Sequence, residues 1–162
     1  MGSTRIESLP KVELHRHLEG ALRLSTLLEL ARADGLNVPR DERSLRAQVQ
    51  VLPHDPLTWA NFLAKFDTLR LFFHSPDVIR RIVREAIEDL AADHIVYAEL
   101  RFTPAALAAA RGFAFEEVMD WVLAAGQEAM QATGVRVGWV ASVNRHEPVA
   151  LARDVARGNP RE

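Results

Sequence analysis

The sequence contains no cysteine, and this absence excludes disulfide bonds and thiolate metal ligands. Any metal ion must therefore be held by histidine and carboxylate side chains. No apolar run reaches the length of a transmembrane segment. The net charge of −2 gives no excess of positive charge for nucleic acid or an anionic membrane. Residues 1–8 lack the apolar segment of a signal peptide. We therefore expect a cytoplasmic protein that binds neither nucleic acid nor membranes.

Hydrophobic residues make up 48% of the 162 residues, which is enough for one domain with a hydrophobic core. Short strand-like runs at residues 12–18, 95–102 and 136–143 alternate with longer amphipathic segments. The third run is apolar on both faces, as in a parallel strand that is covered on both sides. This alternation predicts an α/β fold with parallel strands.

Capping residues and glycines predict where the helices begin and end. The predicted helices run from Ser25 to Gly35, over 41–51, from Asp55-Pro56 to 73, from Ser75-Pro76 to 93, over 105–111, over 115–133 with Gly134 as the stop, and over 148–157 with Gly158-Asn159-Pro160 as the stop.

Two histidines stand two residues apart near the end of the first predicted strand. Alternate side chains of a strand point to the same face, so His15 and His17 can reach one metal ion. Zinc accepts neutral imidazole nitrogen readily. A His-x-His pair alone also occurs by chance, as surface residues or at the edge of a core.

The longer context of these histidines resembles the adenosine deaminase family. Residues 9–20 read L-P-K-V-E-L-H-R-H-L-E-G, like the first barrel strand of that family, L-P-K-x-E-L-H-x-H-L-[DE]-G. Residues 97–104, Y-A-E-L-R-F-T-P, are similar to its second strand. Residues 61–67 are similar to its substrate-side helix, and Arg145-His146-Glu147-Pro148 matches a loop after its third strand.

This resemblance implies zinc-dependent hydrolytic deamination of a purine nucleoside or base, with release of ammonia. It also implies the N-terminal part of a (β/α)₈ TIM-type barrel, because 162 residues supply only three or four βα units and a closed barrel takes about 250 residues. Residues 1–162 would then form one incomplete barrel domain. By the same resemblance, His15 and His17 match zinc ligands, and His17 and Glu19 lie beside the substrate. Family members usually have aspartate at the position of Glu19, so adenosine, adenine and aminodeoxyfutalosine all stay open as substrates.

Apolar residues within 56–73 recur at steps of three and four, which by spacing alone indicates a stripe that faces the core. The family resemblance instead implies that Phe62 and Phe66, and less directly Trp59, flank the purine. Glu99 and Arg101 share one face of the second strand and are expected either to form an ion pair or to orient the histidines and the substrate. The stripe consists of Trp59, Phe62, Phe66, Leu69 and Phe73.

The remaining family motifs do not occur in the sequence. The missing blocks are H-A-G-E, G-H-G and D-D-P, which would supply a third histidine ligand, the glutamate proton donor, a further histidine and an aspartate ligand. We therefore expect no catalytic residue in this chain, and no activity from the chain alone. One hypothesis is the front part of a deaminase with a complementing C-terminal half. The other is a non-catalytic half-barrel that acts through self-association or a partner.

Overall fold

The computed structural model describes residues 6–158. Three strands, β1 (Lys11–His17), β2 (Ile95–Phe102) and β3 (Arg136–Ala141), form one parallel sheet in the order β1-β2-β3. Seven α-helices connect and follow them: α1 (Leu24–Ala33), α2 (Glu42–Val49), α3 (Trp59–Arg70), α4 (Pro76–Ala92), α5 (Pro104–Ala109), α6 (Phe115–Thr133) and α7 (Val149–Arg157). The predicted parallel α/β organisation is confirmed.

The main core lies between one face of the sheet and helices α4 and α6. Side chains alternate along β2, so Ala98, Leu100 and Phe102 point to this core and are fully buried. Gly126 lets α6 approach β3 closely, because a Cβ atom at this position would overlap the ring of Trp139. The helix side of this core consists mainly of Ile79, Ile82, Val83, Ile87, Leu90, Val118 and Val122.

A second, smaller core joins the first three helices. Leu27 and Leu30 of α1 pack with Leu45 of α2, and Leu69 and Phe72 close the cluster at the end of α3. Helices α1–α3 therefore form a unit of their own beside the sheet. No helix within residues 6–158 is long and apolar enough to cross a membrane.

The opposite face of the sheet is open. Register places Val12 opposite Tyr97 and His17 opposite Arg101, so these residues share the face that points away from α4 and α6. Val12 is 58% exposed and Leu14 is 60% exposed. In a closed barrel this face would be the interior.

Two predicted helix starts are wrong, and tertiary contacts explain both. Helix α1 begins at Leu24 rather than Ser25. Arg23 occupies the capping position and forms ion pairs with Glu88 and Asp89 of α4, which fix where the chain enters the helix. The other helix begins at Trp59 rather than Pro56, because Asp55 accepts a hydrogen bond from the amide of Leu52 and pairs with Lys65 instead of capping.

The remaining boundaries differ little from the predictions. The start of α4 at Ser75-Pro76 is confirmed, as are the bounds of α6 and its left-handed stop at Gly134. Leu18 belongs to a short 3₁₀ turn rather than to β1, and β3 ends at Ala141 rather than 143. The predictions about residues 1–5 and about Asn159-Pro160 lie outside the described residues.

Candidate active site

His15 and His17 lie together at the end of β1. Their ring centroids are 5.3 Å apart, and the ring planes are tilted by 54°. His15 is exposed and His17 is half-buried. The strand ends here because Leu18, Glu19 and Gly20 turn as one 3₁₀ unit, with Leu18 and Glu19 buried. The two imidazoles are thus held at the carboxyl end of the sheet, where ligands bind in parallel α/β folds.

The surroundings of His17 favour its neutral form. Burial of the imidazole is the main cause that lowers the pKa of His17 below its ordinary value of 6.5, and the nearby Glu19 opposes this by raising it. The positive charges of Arg101 and Arg70 lower the pKa further. A neutral imidazole keeps a free nitrogen lone pair at neutral pH, which is the state that a metal ion requires.

The donor set at this position fits part of a zinc shell. Two imidazoles whose ring centroids lie 5.3 Å apart can occupy two positions around a tetrahedral ion. Among residues 6–158 no group of three or more histidine, aspartate or glutamate side chains is placed to hold a metal ion. The described chain therefore offers two metal donors and leaves the remaining positions to other ligands.

Aromatic rings of α3 line one side of the histidines. The ring of Phe66 lies edge-on to His17 with a centroid distance of 5.7 Å, and Phe62 contacts Phe66 at 5.3 Å. Trp59 continues the row at 6.1 Å from Phe62 and is 79% exposed. The single stripe expected from spacing is thus divided: Leu69 and Phe73 enter the cores, whereas Trp59 and Phe62 stay exposed beside the site.

A groove next to this row does not reach the histidines. Its volume is about 370 Å³, and it is lined by Val51, by residues 56–59 and by Asn61 and Phe62. Trp59 and Phe62 belong to both the groove and the aromatic row, whereas Phe66, the ring that contacts His17, does not line the groove. The groove is therefore an apolar recess beside the site and not the site itself.

Glu19 is buried within the sheet edge. Its side chain is 1% exposed, and Oε1 accepts a hydrogen bond of 3.0 Å from the amide of Thr103, which follows β2. Oε2 is also buried and has no hydrogen-bond partner within the described part of the chain. Glu19 thus joins the ends of β1 and β2 with one oxygen and keeps the other unpaired.

Glu99 and Arg101 do not form the ion pair that was one of the two expectations. Glu99 instead accepts a long hydrogen bond of 3.5 Å from the hydroxyl of Tyr97. Arg101 lies opposite His17 in the sheet and has no ion pair with any residue between 6 and 158.

Arg70 belongs to none of the sequence motifs described above, although it lies beside Phe66 at the site. Its guanidinium carbon lies 5.9 Å from the centroid of the Phe66 ring, and its charge acts on His17. The step of four residues from Phe66 to Arg70 on one helix could have indicated this contact. His146, by contrast, is 82% exposed, and its ion pair is with Glu147 at 3.6 Å.

The family model for adenosine deaminase matches residues 10–161. This chain belongs to the adenosine deaminase family. It is 35% identical over 159 residues to the adenosine deaminase of Mycobacterium avium, a match that covers 94% of this chain and 42% of that protein. It is 30% identical over 151 residues to the adenosine deaminase of Clostridium botulinum, covering 93% of this chain and 45% of that protein.

Solved structures of deaminases share the fold. An amidohydrolase from Burkholderia ambifaria with bound zinc superposes with a TM-score of 0.79 at 25% identity, covering 97% of this chain and 43% of that one. The adenine deaminase of Arthrobacter aurescens superposes with a TM-score of 0.77 at 25% identity, covering 91% of this chain and 44% of that one. Arabidopsis ADAL complexed with IMP superposes with a TM-score of 0.73 at 27% identity, covering 95% of this chain and 46% of that one.

These matches fix the architecture and the family. The three parallel strands correspond to part of the (β/α)₈ TIM-type barrel of adenosine deaminase-like proteins. The chain spans less than half the length of the curated relatives that it matches.

Proposed function

We propose that this chain forms the N-terminal half of the active site of a zinc-dependent deaminase that acts on a purine. The observation that carries the proposal is the convergence of His15 and His17 at the end of β1, with Phe66 against His17. Relatives named adenosine deaminase support the deamination of a purine, and the zinc bound in the Burkholderia ambifaria structure supports zinc as the metal ion. A cytoplasmic location and one incomplete domain over residues 1–162 stay predictions.

The residues of this chain have separate roles in the proposal. His15 and His17 would hold zinc, which when bound acidifies a water molecule for attack on the ring. Phe62 and Phe66 would provide an apolar wall for the flat face of the purine, because aromatic rings stack and exclude water. Glu19 would keep the histidine strand in register with β2 through the Thr103 amide.

No residue in the described part of the chain is assigned as the proton donor. Glu99 and Arg101 would orient the site from β2 rather than react. The remaining metal ligands and the proton donor would come from a complementing C-terminal half, either on the same polypeptide or on another. The substrate stays open among a purine base such as adenine, a nucleoside such as adenosine or aminodeoxyfutalosine, and a nucleotide.

The metal half of the proposal is tested by zinc binding to the 162-residue chain. Competition with a chromophoric chelator should detect one weak site, because two imidazoles form only part of a tetrahedral shell. His15→Ala and His17→Ala should each abolish it, whereas His146→Ala should leave it unchanged. Equal zinc affinity of His17→Ala and the unaltered chain would contradict the assignment.

The catalytic part of the proposal is tested by joining the chain to the C-terminal part of a relative that the chain does not cover. With zinc, the chain alone should release ammonia from adenosine no faster than its His17→Ala variant, since no proton donor is assigned. Joined to the uncovered remainder of the Mycobacterium avium adenosine deaminase, it should show zinc-dependent turnover on at least one purine, and His17→Ala should remove it.

A second candidate function is supported by the open face of the sheet. Val12 and Leu14 are more than half exposed, and both edge strands β1 and β3 lack a further neighbour among residues 6–158. A non-catalytic half-barrel would use this face to bind a second copy or a partner. Zinc-dependent turnover in the joined protein would decide for the enzyme.

A further inference from the structure

Strand β1 contains a β-bulge at the first of the two site histidines. Glu13 lies opposite Ala98 and Arg16 lies opposite Leu100, and within residues 6–158 the two β1 residues between them pair with no residue of β2. Two residues of β1 therefore oppose one residue of β2, which is the definition of a bulge. Bulges bend a strand and redirect the side chains beside them. One of the two bulged residues is His15.

The amide of this bulged histidine is held by a side chain of the same strand. The backbone N–H of His15 donates a hydrogen bond of 3.1 Å to Oε1 of Glu13. A backbone N–H outside the regular ladder needs another acceptor, either water or a side chain. A carboxylate is a strong acceptor for it, because the hydrogen bond is assisted by charge. Glu13 therefore favours the bulged course of β1 over a regular one.

The conformation held in this way brings two imidazoles together. The ring centroids of His15 and His17 are 5.3 Å apart, whereas positions two residues apart on a regular strand are separated by about 6.6 Å. His17 is half-buried and packs against the ring of Phe66 at 5.7 Å. His15 is exposed, so its position depends more on the backbone that carries it. Holding the backbone of His15 therefore keeps the pair together.

We propose that Glu13 is a positioning residue of the metal site, because its carboxylate holds the backbone of His15 in the bulge so that both imidazoles bind one zinc ion. This inference rests on the proposed zinc-dependent function and adds a residue to it. In this role Glu13 acts through His15 and does not itself bind the metal. Removal of a group that orients metal ligands typically lowers metal affinity by about 10- to 100-fold.

The test compares Glu13→Ala, Glu13→Gln and Lys11→Met in the full 162-residue chain, with zinc as the probe. Competition with a chromophoric chelator should show zinc binding at least about tenfold weaker for Glu13→Ala. Glu13→Gln keeps an acceptor oxygen without the charge and should retain most of the affinity. Lys11→Met removes the ion pair that anchors the other end of β1 to Asp93. It should lower the free energy of unfolding without weakening zinc binding.

A second measurement, without zinc, separates the role of Glu13 from a general loss of structure. In the metal-free chain, NMR should detect the proximity of the His15 and His17 rings in the unaltered protein and in Glu13→Gln. Glu13→Ala should lose this signal, and its His15 amide should exchange hydrogen faster, while urea unfolding shows that the fold is retained. If Glu13→Ala does not fold alone, the same variants of the protein joined to the Mycobacterium avium remainder give the zinc affinities.

The outcomes separate this inference from the function on which it rests. Equal zinc affinity of Glu13→Ala and the unaltered chain would overturn the positioning role and leave the zinc site standing. Glu13→Gln binding zinc as weakly as Glu13→Ala would also overturn it, because charge rather than the hydrogen bond would then be responsible. Ring proximity that depends on Glu13, in a chain that binds no zinc, would keep the positioning role and reject the zinc function. Ring proximity independent of Glu13 and no zinc binding would reject both.

Discussion

Burial and charge act in the same direction at His17. Its imidazole is packed against Phe66 and lies between the strand of Arg101 and the helix of Arg70, so the protonated form is disfavoured on every side except that of Glu19. A metal ligand benefits from this environment, because a proton no longer competes for the nitrogen. The same two arginines repel a bare cation, so the balance requires carboxylates or an anionic ligand to complete the site.

The pKa of His17 should therefore lie below 6.5 in the folded chain. As the pH falls through 6.5, the unfolded chain takes up a proton before the folded chain does, so this residue lowers the free energy of unfolding below that pH and has no effect well above it. NMR titration of the His17 ring protons should give the lowered midpoint. Arg70→Gln should raise it, and Arg84→Gln should not. A midpoint at or above 6.5 would contradict this account.

The extent to which each element could be predicted depends on where its boundary contacts lie. The bounds of β2 and α6 follow from local patterns, since Gly134 provides a left-handed stop and Thr103-Pro104 follows β2 directly. The start of α1 depends on Arg23, which pairs with Asp89 of α4, 66 positions along the chain. The start of α3 is capped locally by Thr58, whose side chain accepts a hydrogen bond from the amide of Asn61, although Asp55-Pro56 gives a similar start pattern just before it. The same holds at the site: the spacing of His15 and His17 predicts their convergence, whereas the bond from Thr103 to Glu19 joins residues 84 positions apart.

Helix α3 carries the aromatic row, and Lys65 fixes the position of this helix. Its Nζ donates a hydrogen bond of 2.7 Å to the carbonyl of Ala47 near the end of α2. The same atom forms an ion pair with Oδ2 of Asp55 at 3.1 Å. Lys65 is 9% exposed, so these contacts are shielded from water. One lysine thus joins α2, α3 and the loop between them.

Lys65→Met should destabilise the chain by about 2 kcal/mol, because it leaves a carbonyl and a carboxylate without their cation. Arg46→Met, which removes an exposed pair with Glu42 and a long hydrogen bond to Gln50 on α2, should change the free energy of unfolding by less than about 0.5 kcal/mol. Urea unfolding gives both values. The combination of Lys65→Met with Asp55→Asn should cost less than the sum of the two single changes, and strict additivity would show that the pair is not coupled.

At the scale of the whole molecule, residues 6–158 cover the sheet on one face only. Helices α4 and α6 bury one side, whereas Val12 and Leu14 project from the other and both edge strands end in open backbone. An uncovered sheet face with exposed apolar side chains and two open edges is uncommon on stable monomers. We therefore expect the isolated chain of 18.1 kDa to associate or to lack cooperative unfolding.

Replacing Leu14 tests this expectation. Leu14→Lys should reduce association measured by light scattering after size exclusion, because it places a charge in the exposed apolar face. Val149→Lys, a change at a comparably exposed position on α7, should have no such effect. A compact monomer with cooperative unfolding at all concentrations would refute the expectation.

The irregular register of β1 divides this strand into two parts with different constraints. Between Glu13 and Arg16 the strand advances by three residues while β2 advances by two, from Ala98 to Leu100. Val12 and His17 therefore face the same side although they stand five positions apart, an odd step that would put them on opposite faces of a regular strand. Substitutions cannot change which side of the sheet each residue of β1 faces, but a one-residue deletion can. Loss of a single codon between Glu13 and Arg16 would force the strand to turn either its apolar beginning or its histidine end to the wrong side. The strand thus accepts changes of residue type far more readily than changes of length.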